Sequence, residues 1–104
     1  MILTTTEQIA GYEIIEVLDI ARGSTVRARN IGKDIFAGLK NIIGGEIEQY
    51  TRLMADAREE AIDRMIADGE RMGANAIVNV RFTTASVMAG ASEILAFGTA
   101  VKIR

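Results

Sequence analysis

The stretch from Glu46 to Met72 carries its apolar residues on a single helical stripe. Apolar side chains that recur every three to four positions form one face of an α-helix. The stripe consists of Ile47, Tyr50, Leu53, Met54, Ala57, Ala61, Met65 and Met72. A helix of this length extends about 40 Å. The chain must therefore supply another layer against which this stripe is buried.

β-prone segments precede the helix. Strands are predicted at about Tyr12–Ile20 and Thr25–Arg29, with a bend at Arg22-Gly23-Ser24 between them. Apolar residues at helical spacing then predict a short helix over residues 35–43. Gly44-Gly45 follows as a stop signal, since glycine readily takes the left-handed conformation found at helix ends.

Two more strands are predicted after the long helix, which Gly73-Ala74-Asn75 closes. They cover Ala76–Thr84 and Ser92–Arg104, with a turn region at Met88–Ala91. In the last strand, bulky residues alternate with Ala96, Gly98 and Ala100. Such a small face indicates that a closely packed helix or another backbone approaches it.

The order of elements predicts an α+β fold. We expect a small antiparallel-rich sheet of three to four strands, packed with one short and one long helix in the order β-β-α-α-β-β. A length of 104 residues suits a single domain over residues 1–104. Aromatic residues make up only 5% of the chain and Trp is absent, so the core is built from modest side chains. A small core and open sheet edges both favour a homo-oligomer.

The residue inventory narrows the chemistry. The chain has neither Cys nor His, whereas zinc and copper prefer thiolate and imidazole ligands, so no metal and no cofactor are expected. Three methionines share the helix stripe and are interpreted as core rather than as a copper(I) site. Acids that could line a symmetry axis are interpreted as solvated surface groups; they are Asp34, Glu46, Glu13 and Glu16.

Charge and segment patterns exclude other classes. The net charge of −2, without a dense run of Lys or Arg, argues against nucleic acid as a partner. No membrane partner is expected, because no stretch of roughly 18 apolar residues occurs. The first residues lack the pattern of a signal peptide, so the cytoplasm is the expected location.

Five features of the sequence match a known family together, namely Ala28–Gly38, Gly44-Gly45, Tyr50, Gly73–Val78 and Gly98–Val101. In their order and spacing they resemble the YbjQ-like family, whose label refers to heavy-metal binding. The resemblance covers nearly the whole chain. It implies a pentameric ring in which the sheets form a barrel-like core with helices around it, and a biochemical role that is largely undefined. Two residues depart from the family pattern. The resemblance leads us to expect Arg where this chain has Lys33, and Arg or Lys where it has Glu46.

These observations predict a non-enzymatic oligomeric module that binds a ligand or serves a structural role. The first candidates for ligand binding are Arg29, Asn30, Lys33, Asp34 and Tyr50, which belong to the family blocks or pack near the short helix. Two alternatives stay open. One is an enzyme whose carboxylate or Lys site forms between subunits, and the other is an adaptor that docks a partner protein on the exposed long helix. Arg58, inside the apolar stripe, is interpreted as a snorkelling side chain or an ion pair across a subunit boundary.

Overall fold

The structure, a computed structural model, describes the backbone of residues 1–28 and 45–104 and the side chains of residues 1–26 and 51–104. Its elements in chain order are β1 (Ile2–Leu3), β2 (Ile14–Ala28), α1 (Gly45–Arg71), β3 (Ala76–Met88) and β4 (Ala91–Ile103). The strands form one sheet in the order β1-β3-β4-β2. β1 runs parallel to β3, and the other neighbouring strands are antiparallel. The described chain is thus an α+β fold with one helix and a mixed four-stranded sheet.

The long helix agrees with its prediction to within one residue at each end. Ala57, Ala61 and Met65 are fully buried, and Leu53, Met54 and Met72 are half-buried. The helix lies mainly on β2 and secondarily on β4. The apolar stripe therefore faces the sheet, and Met65 is a core residue as the sequence predicted.

The helix ends in a glycine-dependent turn. Gly73 has a φ of +87°, the left-handed conformation that costs L-residues with a Cβ about 1–2 kcal/mol. Its N–H donates to the carbonyl of Glu70, and the N–H of Ala74 donates to the carbonyl of Gly69, both at 3.0 Å. These two bonds form a Schellman motif, which confirms the predicted stop.

The predicted bend at Arg22-Gly23-Ser24 is wrong. β2 continues through this segment, and Gly23 pairs with Ala96 of β4 in unbroken register. Glycine is typical of turns, but here it lets the helix approach closely, because a Cβ on Gly23 would lie 2.3 Å from the main-chain nitrogen of Met65. The two strands predicted before the helix are therefore one strand of 15 residues.

The predicted element order changes accordingly. The first strand of the described chain is instead the two-residue β1, which is too short to leave a periodic signal in the sequence. The predicted order β-β-α-α-β-β is therefore not confirmed. The short helix predicted over residues 35–43 lies outside the described residues.

β3 and β4 form a long hairpin with 13 residues in each strand. The turn falls at residues 89–90, inside the predicted turn region, and Gly90 has a φ of +78°. Their register shifts between Val78 and Arg81, where Asn79 has a φ of +55°. Asn tolerates this left-handed conformation better than most residues, so it suits a bulge.

The small face of β4 is the face that the helix covers. Ala96 and Ala100 are fully buried there, and Gly98 is buried beside them. The main core consists of Ala21, Ala57, Ala61, Met65, Ile77, Val80, Ile94, Ala96 and Ala100. Small residues on both layers thus let α1 approach the sheet closely, as the alternation in β4 predicted.

A second, smaller cluster lies at the start of β3 and the end of β4. Its buried members are Ala76, Val78, Val101 and Ile103, and Ile2, Ile9 and Ile14 pack against it. The segment before β2 therefore covers one end of the sheet. Among the described residues, none covers the far end of the hairpin in this way, and every residue from 81 to 90 is exposed.

Candidate functional site

The sheet face opposite the main core carries a shallow concavity, with a volume of about 340 Å³. Its lining residues are Ile20, Asn79, Arg81, Phe97, Gly98 and Thr99. They come from the three long strands of the sheet. An apolar floor with a few polar groups at its margin is the usual composition of a small-ligand site.

Two arginines flank Phe97 across this face. Arg22 of β2 and Arg81 of β3 are both register partners of Phe97 in β4. Register partners share a face of the sheet, and adjacent strands lie about 4.8 Å apart, so the two arginine Cα atoms are separated by roughly 10 Å. We call these three residues the Arg–Phe–Arg row. Both arginines are exposed, and Phe97 is half-buried between them.

Main-chain carbonyl groups hold the Arg81 guanidinium in place. Its Nη1 donates to the carbonyl of Thr5 at 2.8 Å and to the carbonyl of Val80 at 2.9 Å. Thr5 belongs to the N-terminal segment, which runs beside β3. The side chain is thus oriented before any ligand arrives, and this reduces the entropy lost on binding.

Neither arginine of the row forms a salt bridge within the described residues. The salt bridges of this part of the chain pair Arg64 with Glu60, Arg71 with Asp68, Lys102 with Glu16, and Arg104 with Glu13. Arg22 and Arg81 form no salt bridge there. The charge of Arg22 still interacts with the carboxylate of Asp68 and helps to lower its pKa. Among the described residues, Arg81 is therefore the arginine of the row whose charge no carboxylate opposes.

The free edge of β2 lies next to this face and is capped by side chains. Asp68 of α1 accepts a hydrogen bond from the main-chain N–H of Arg22 at 3.0 Å, and Arg64 donates to the carbonyl of Ser24 at 2.6 Å. The hydrogen bond from the Arg22 N–H, reinforced by Arg71, lowers the pKa of Asp68 below its usual value although burial opposes this. One further edge N–H, that of Ile20, donates to its neighbour Asp19 at 2.7 Å.

Carboxylates do not gather into a metal centre in the described part of the chain. No group of three or more Asp or Glu side chains lies close enough together there to hold an ion. Glu13 and Glu16, considered above as possible axial acids, each lie in a salt bridge on the sheet surface. Within residues 1–28 and 45–104, no helix is both long and apolar enough to cross a bilayer.

The ligand-binding residues predicted from the sequence fall elsewhere. Arg29, Asn30, Lys33 and Asp34 lie outside the described residues, and only the backbone of Tyr50 is described, in α1. These five residues stay predictions. Arg58 is exposed on the helix. The sequence reasoning missed the Arg–Phe–Arg row because its members meet only through the register of three strands.

The fold and this face define the class: a small α+β chain in which one helix covers a long-stranded sheet and leaves a cationic, aromatic face open. Comparison with known proteins places it more narrowly. The model of the YbjQ family, described as "Putative heavy-metal-binding", matches residues 1–104. The chain belongs to this family.

Similar proteins occur in archaea and bacteria. The UPF0145 protein of Archaeoglobus fulgidus is 58% identical over 104 residues, which are 100% of this chain and 96% of that protein. The UPF0145 protein of Thermosipho africanus is 57% identical with the same coverage. A crystal structure of a protein of unknown function from the DUF74 family of Pediococcus pentosaceus matches with a TM-score of 0.67 and 17% identity, over 100% of this chain and 98% of that one. This structural likeness supports the fold alone.

Proposed function

We propose that the chain is a homo-oligomeric binding module without an enzymatic role, and that copies associate through the exposed end of the β3–β4 hairpin. We call residues 81–90 the distal arm. The observation that carries the proposal is that all ten residues of the arm are exposed, although eight of them belong to a β-strand. Phe82, Val87 and Met88 are 46%, 51% and 67% exposed.

The arm also has an edge that no strand of the described sheet pairs with. β1 pairs with β3 only at Ala76 and Ile77, and main-chain bonds from the N-terminal segment extend only to Val80. Beyond that point β4 is the one neighbouring strand of the described sheet. The arm sequence RFTTASVMAG carries a single charge and no Pro. A long apolar edge strand of this kind is an aggregation hazard unless something covers it.

The large exposed area supports the proposal that a second copy of the chain covers the distal arm. The chain exposes 6924 Å², whereas a compact monomer of 11.2 kDa exposes about 5,700 Å². The excess of about 1,200 Å² exceeds the roughly 800 Å² that each partner buries in a standard interface. The Cα radius of gyration is 17.3 Å, against about 13 Å for a compact domain of this length. The extended shape leaves apolar surface that self-association would bury.

The resemblance to the YbjQ-like family implies a particular form of assembly, the pentameric ring with a barrel-like core of sheets. In such a ring the distal arm of each copy contacts a different surface of the next copy, because contacts of this head-to-tail kind can close into a ring. In the proposed assembly the distal arm contacts the neighbouring copy. In each copy α1 packs on the face of its own sheet that carries the main core. No reaction is assigned to the module.

Light scattering coupled to size-exclusion chromatography tests the proposal. A pentamer of 11.2 kDa subunits has a mass of about 56 kDa. The double variant Val87→Glu, Met88→Lys leaves net charge unchanged and places two charges on the arm. We expect its mass to fall toward that of one subunit, because burying unpaired charges opposes association.

Ala67→Glu is the control, since Ala67 is exposed on the helix away from the arm. This variant should retain the mass of the unmodified protein. Circular dichroism of all three proteins checks that α1 is still folded. A monomeric unmodified protein at micromolar concentration contradicts the proposal, and so does a folded arm variant whose mass does not change.

A further inference from the structure

We propose that the Arg–Phe–Arg row and the adjoining concavity bind a small organic anion, in which a carboxylate or phosphate group is joined to a flat apolar body. This inference rests on the proposed function in one respect, because it names the ligand class of the binding module. Arg81 is the first residue of the distal arm, whereas Val87 and Met88, which test the assembly, lie near its other end. The two ideas can therefore fail separately.

Charge gives the first argument. Arg22 and Arg81 lie on the same face, are both exposed, and form no salt bridge within the described residues. Among the strand residues whose register places them on this face, the nearest carboxylate is Glu93, in the row formed by Val26, Glu93 and Ala85, two rows along the strands. At 3.4 Å per residue it is about 14 Å away, beyond a Debye length at physiological salt. Asp68 interacts with the charge of Arg22, so an anion is expected at the Arg81 end of the row.

The free donors of Arg81 give the second argument. Nη1 is occupied by the carbonyls of Thr5 and Val80. Within the described chain, Nε and Nη2 have no acceptor. The Nε–Nη2 edge of a guanidinium matches the two oxygens of a carboxylate or phosphate and binds them bidentately. The main-chain carbonyl groups thus fix Nη1 and leave the Nε–Nη2 edge of the guanidinium available to an anion.

The floor of the concavity gives the third argument. Phe97 and Ile20 supply apolar surface, and Gly98 contributes backbone between them. Ile20 is 57% exposed, which is costly for an isoleucine unless something covers it. A flat apolar group can lie on the Phe97 ring while its anionic group reaches Arg81. Asn79 and Thr99, which also line the concavity, add an amide and a hydroxyl at its margin.

The volume agrees with a ligand of this size. At about 340 Å³ the concavity is at the lower end of the range for small-molecule sites, roughly 300–1,000 Å³. It is open rather than enclosed, so we expect weak binding, with a Kd in the millimolar range. Inorganic phosphate alone would satisfy Arg81 but would leave the apolar floor in water.

The test is an NMR titration of the full chain labelled with ¹⁵N. Phenyl phosphate and benzoate are the two probes that carry both features. Inorganic phosphate lacks the apolar body, and benzyl alcohol lacks the charge. We expect phenyl phosphate or benzoate to shift the amide signals of Ile20, Phe97 and Thr99, with at least several-fold weaker binding of the two partial probes. A preference between phosphate and carboxylate identifies which anion the site takes.

Variants assign the binding to the row. Arg81→Ala should weaken binding about tenfold or more, because a hydrogen bond to a charged group is lost. Arg81→Lys keeps the charge but loses the fork, so an intermediate loss is expected. Arg104→Ala is the matched control: this exposed arginine pairs with Glu13 at the other end of the sheet and should leave binding unchanged.

Three results would overturn the inference. They are titration curves for Arg81→Ala that match the unmodified protein, equal affinity for inorganic phosphate and phenyl phosphate, and shifts scattered over the whole chain. Light scattering on the same samples separates this failure from failure of the proposed assembly. If Arg81→Ala lowers the mass while no probe binds, the row is a subunit contact and the ligand inference is wrong.

Discussion

Replacing Gly23 with alanine tests the closest approach between the helix and the sheet. A Cβ at this position would lie 2.3 Å from the main-chain nitrogen of Met65 and 2.4 Å from the carbonyl oxygen of Ala61. Ordinary van der Waals contacts are at 3.4–4 Å. Both neighbours are helix backbone, which cannot rotate away as a flexible side chain can. The helix must therefore retreat by about 1 Å or more.

This displacement sets the magnitude of the effect. Overpacking a core costs about 1–3 kcal/mol, and we expect the upper end because the clash is with backbone. Retreat of the helix also strains the hydrogen bond from the Thr25 hydroxyl to the carbonyl of Ala57, which is 3.0 Å long and buried. A loss of about 3 kcal/mol is a large part of a domain stability of about 5–15 kcal/mol. It corresponds to a fall in Tm of roughly 10–20 °C.

Urea unfolding followed by circular dichroism measures this loss. Because association contributes to apparent stability, both proteins must be compared at one fixed concentration. Gly69→Ala is the matched control on the same interface. There a Cβ would meet side-chain atoms alone, those of Ile77 at 3.1 and 3.4 Å and the end of Met1 at 3.6 Å. Alanine also gains up to about 1 kcal/mol over glycine in a helix. The control should be neutral or more stable.

The reasoning is refuted if the Gly23→Ala protein unfolds within about 0.5 kcal/mol of the unmodified protein, a change typical of surface positions. It is also refuted if both alanine variants lose the same stability, since the effect would then come from glycine as such. A large loss in Gly23→Ala alone means that α1 rests on the backbone of β2.

Three further predictions concern the helix end and its neighbours. Gly73→Ala should lower the free energy of unfolding by about 1–2 kcal/mol, measured by urea titration, since alanine is strained at a φ of +87°. Asn75→Ala should lower it by about 1–3 kcal/mol in the same assay, because the amide side chain donates to the carbonyl of Ile103 at 2.9 Å and accepts from its N–H at 2.7 Å. Asp68→Asn should reduce the loss of stability in acid, measured by thermal unfolding between pH 6 and 2. The folded pKa of Asp68 is lowered from 3.8, so its ionised form stabilises the fold above that pH and this contribution is lost as pH falls through the folded pKa.

Local patterns predicted the helix because its signal lies within one continuous segment. The spacing of Ala57, Ala61 and Met65 predicted the buried stripe, and Gly73 predicted the stop. The same kind of reasoning failed at Gly23. A glycine among polar residues is typical of a turn, yet it also occurs where another backbone approaches. Only the position of the helix distinguishes these two uses, and that position depends on residues far along the chain.

The candidate site was harder to predict, for a related reason. Arg22 and Arg81 are distant in sequence, and Phe97 brings them together only because β4 lies between β2 and β3. A one-residue shift in either register would send one arginine to the opposite face. The bulge at Asn79 is part of this register, and no sequence pattern located it. The predicted candidates came instead from blocks shared with a family.

The two edges of the sheet have opposite chemistry, and this difference directs self-association. Along β2, Asp68 and Arg64 already bond the main-chain N–H of Arg22 and the carbonyl of Ser24. A strand added there would have to displace two charge-assisted hydrogen bonds, each stronger than a neutral one. Along β3, the edge from Arg81 to Met88 has no partner strand in the described sheet. Contact between copies is therefore expected along β3 and opposed along β2, because a contact at β3 breaks no existing main-chain bond of the described sheet.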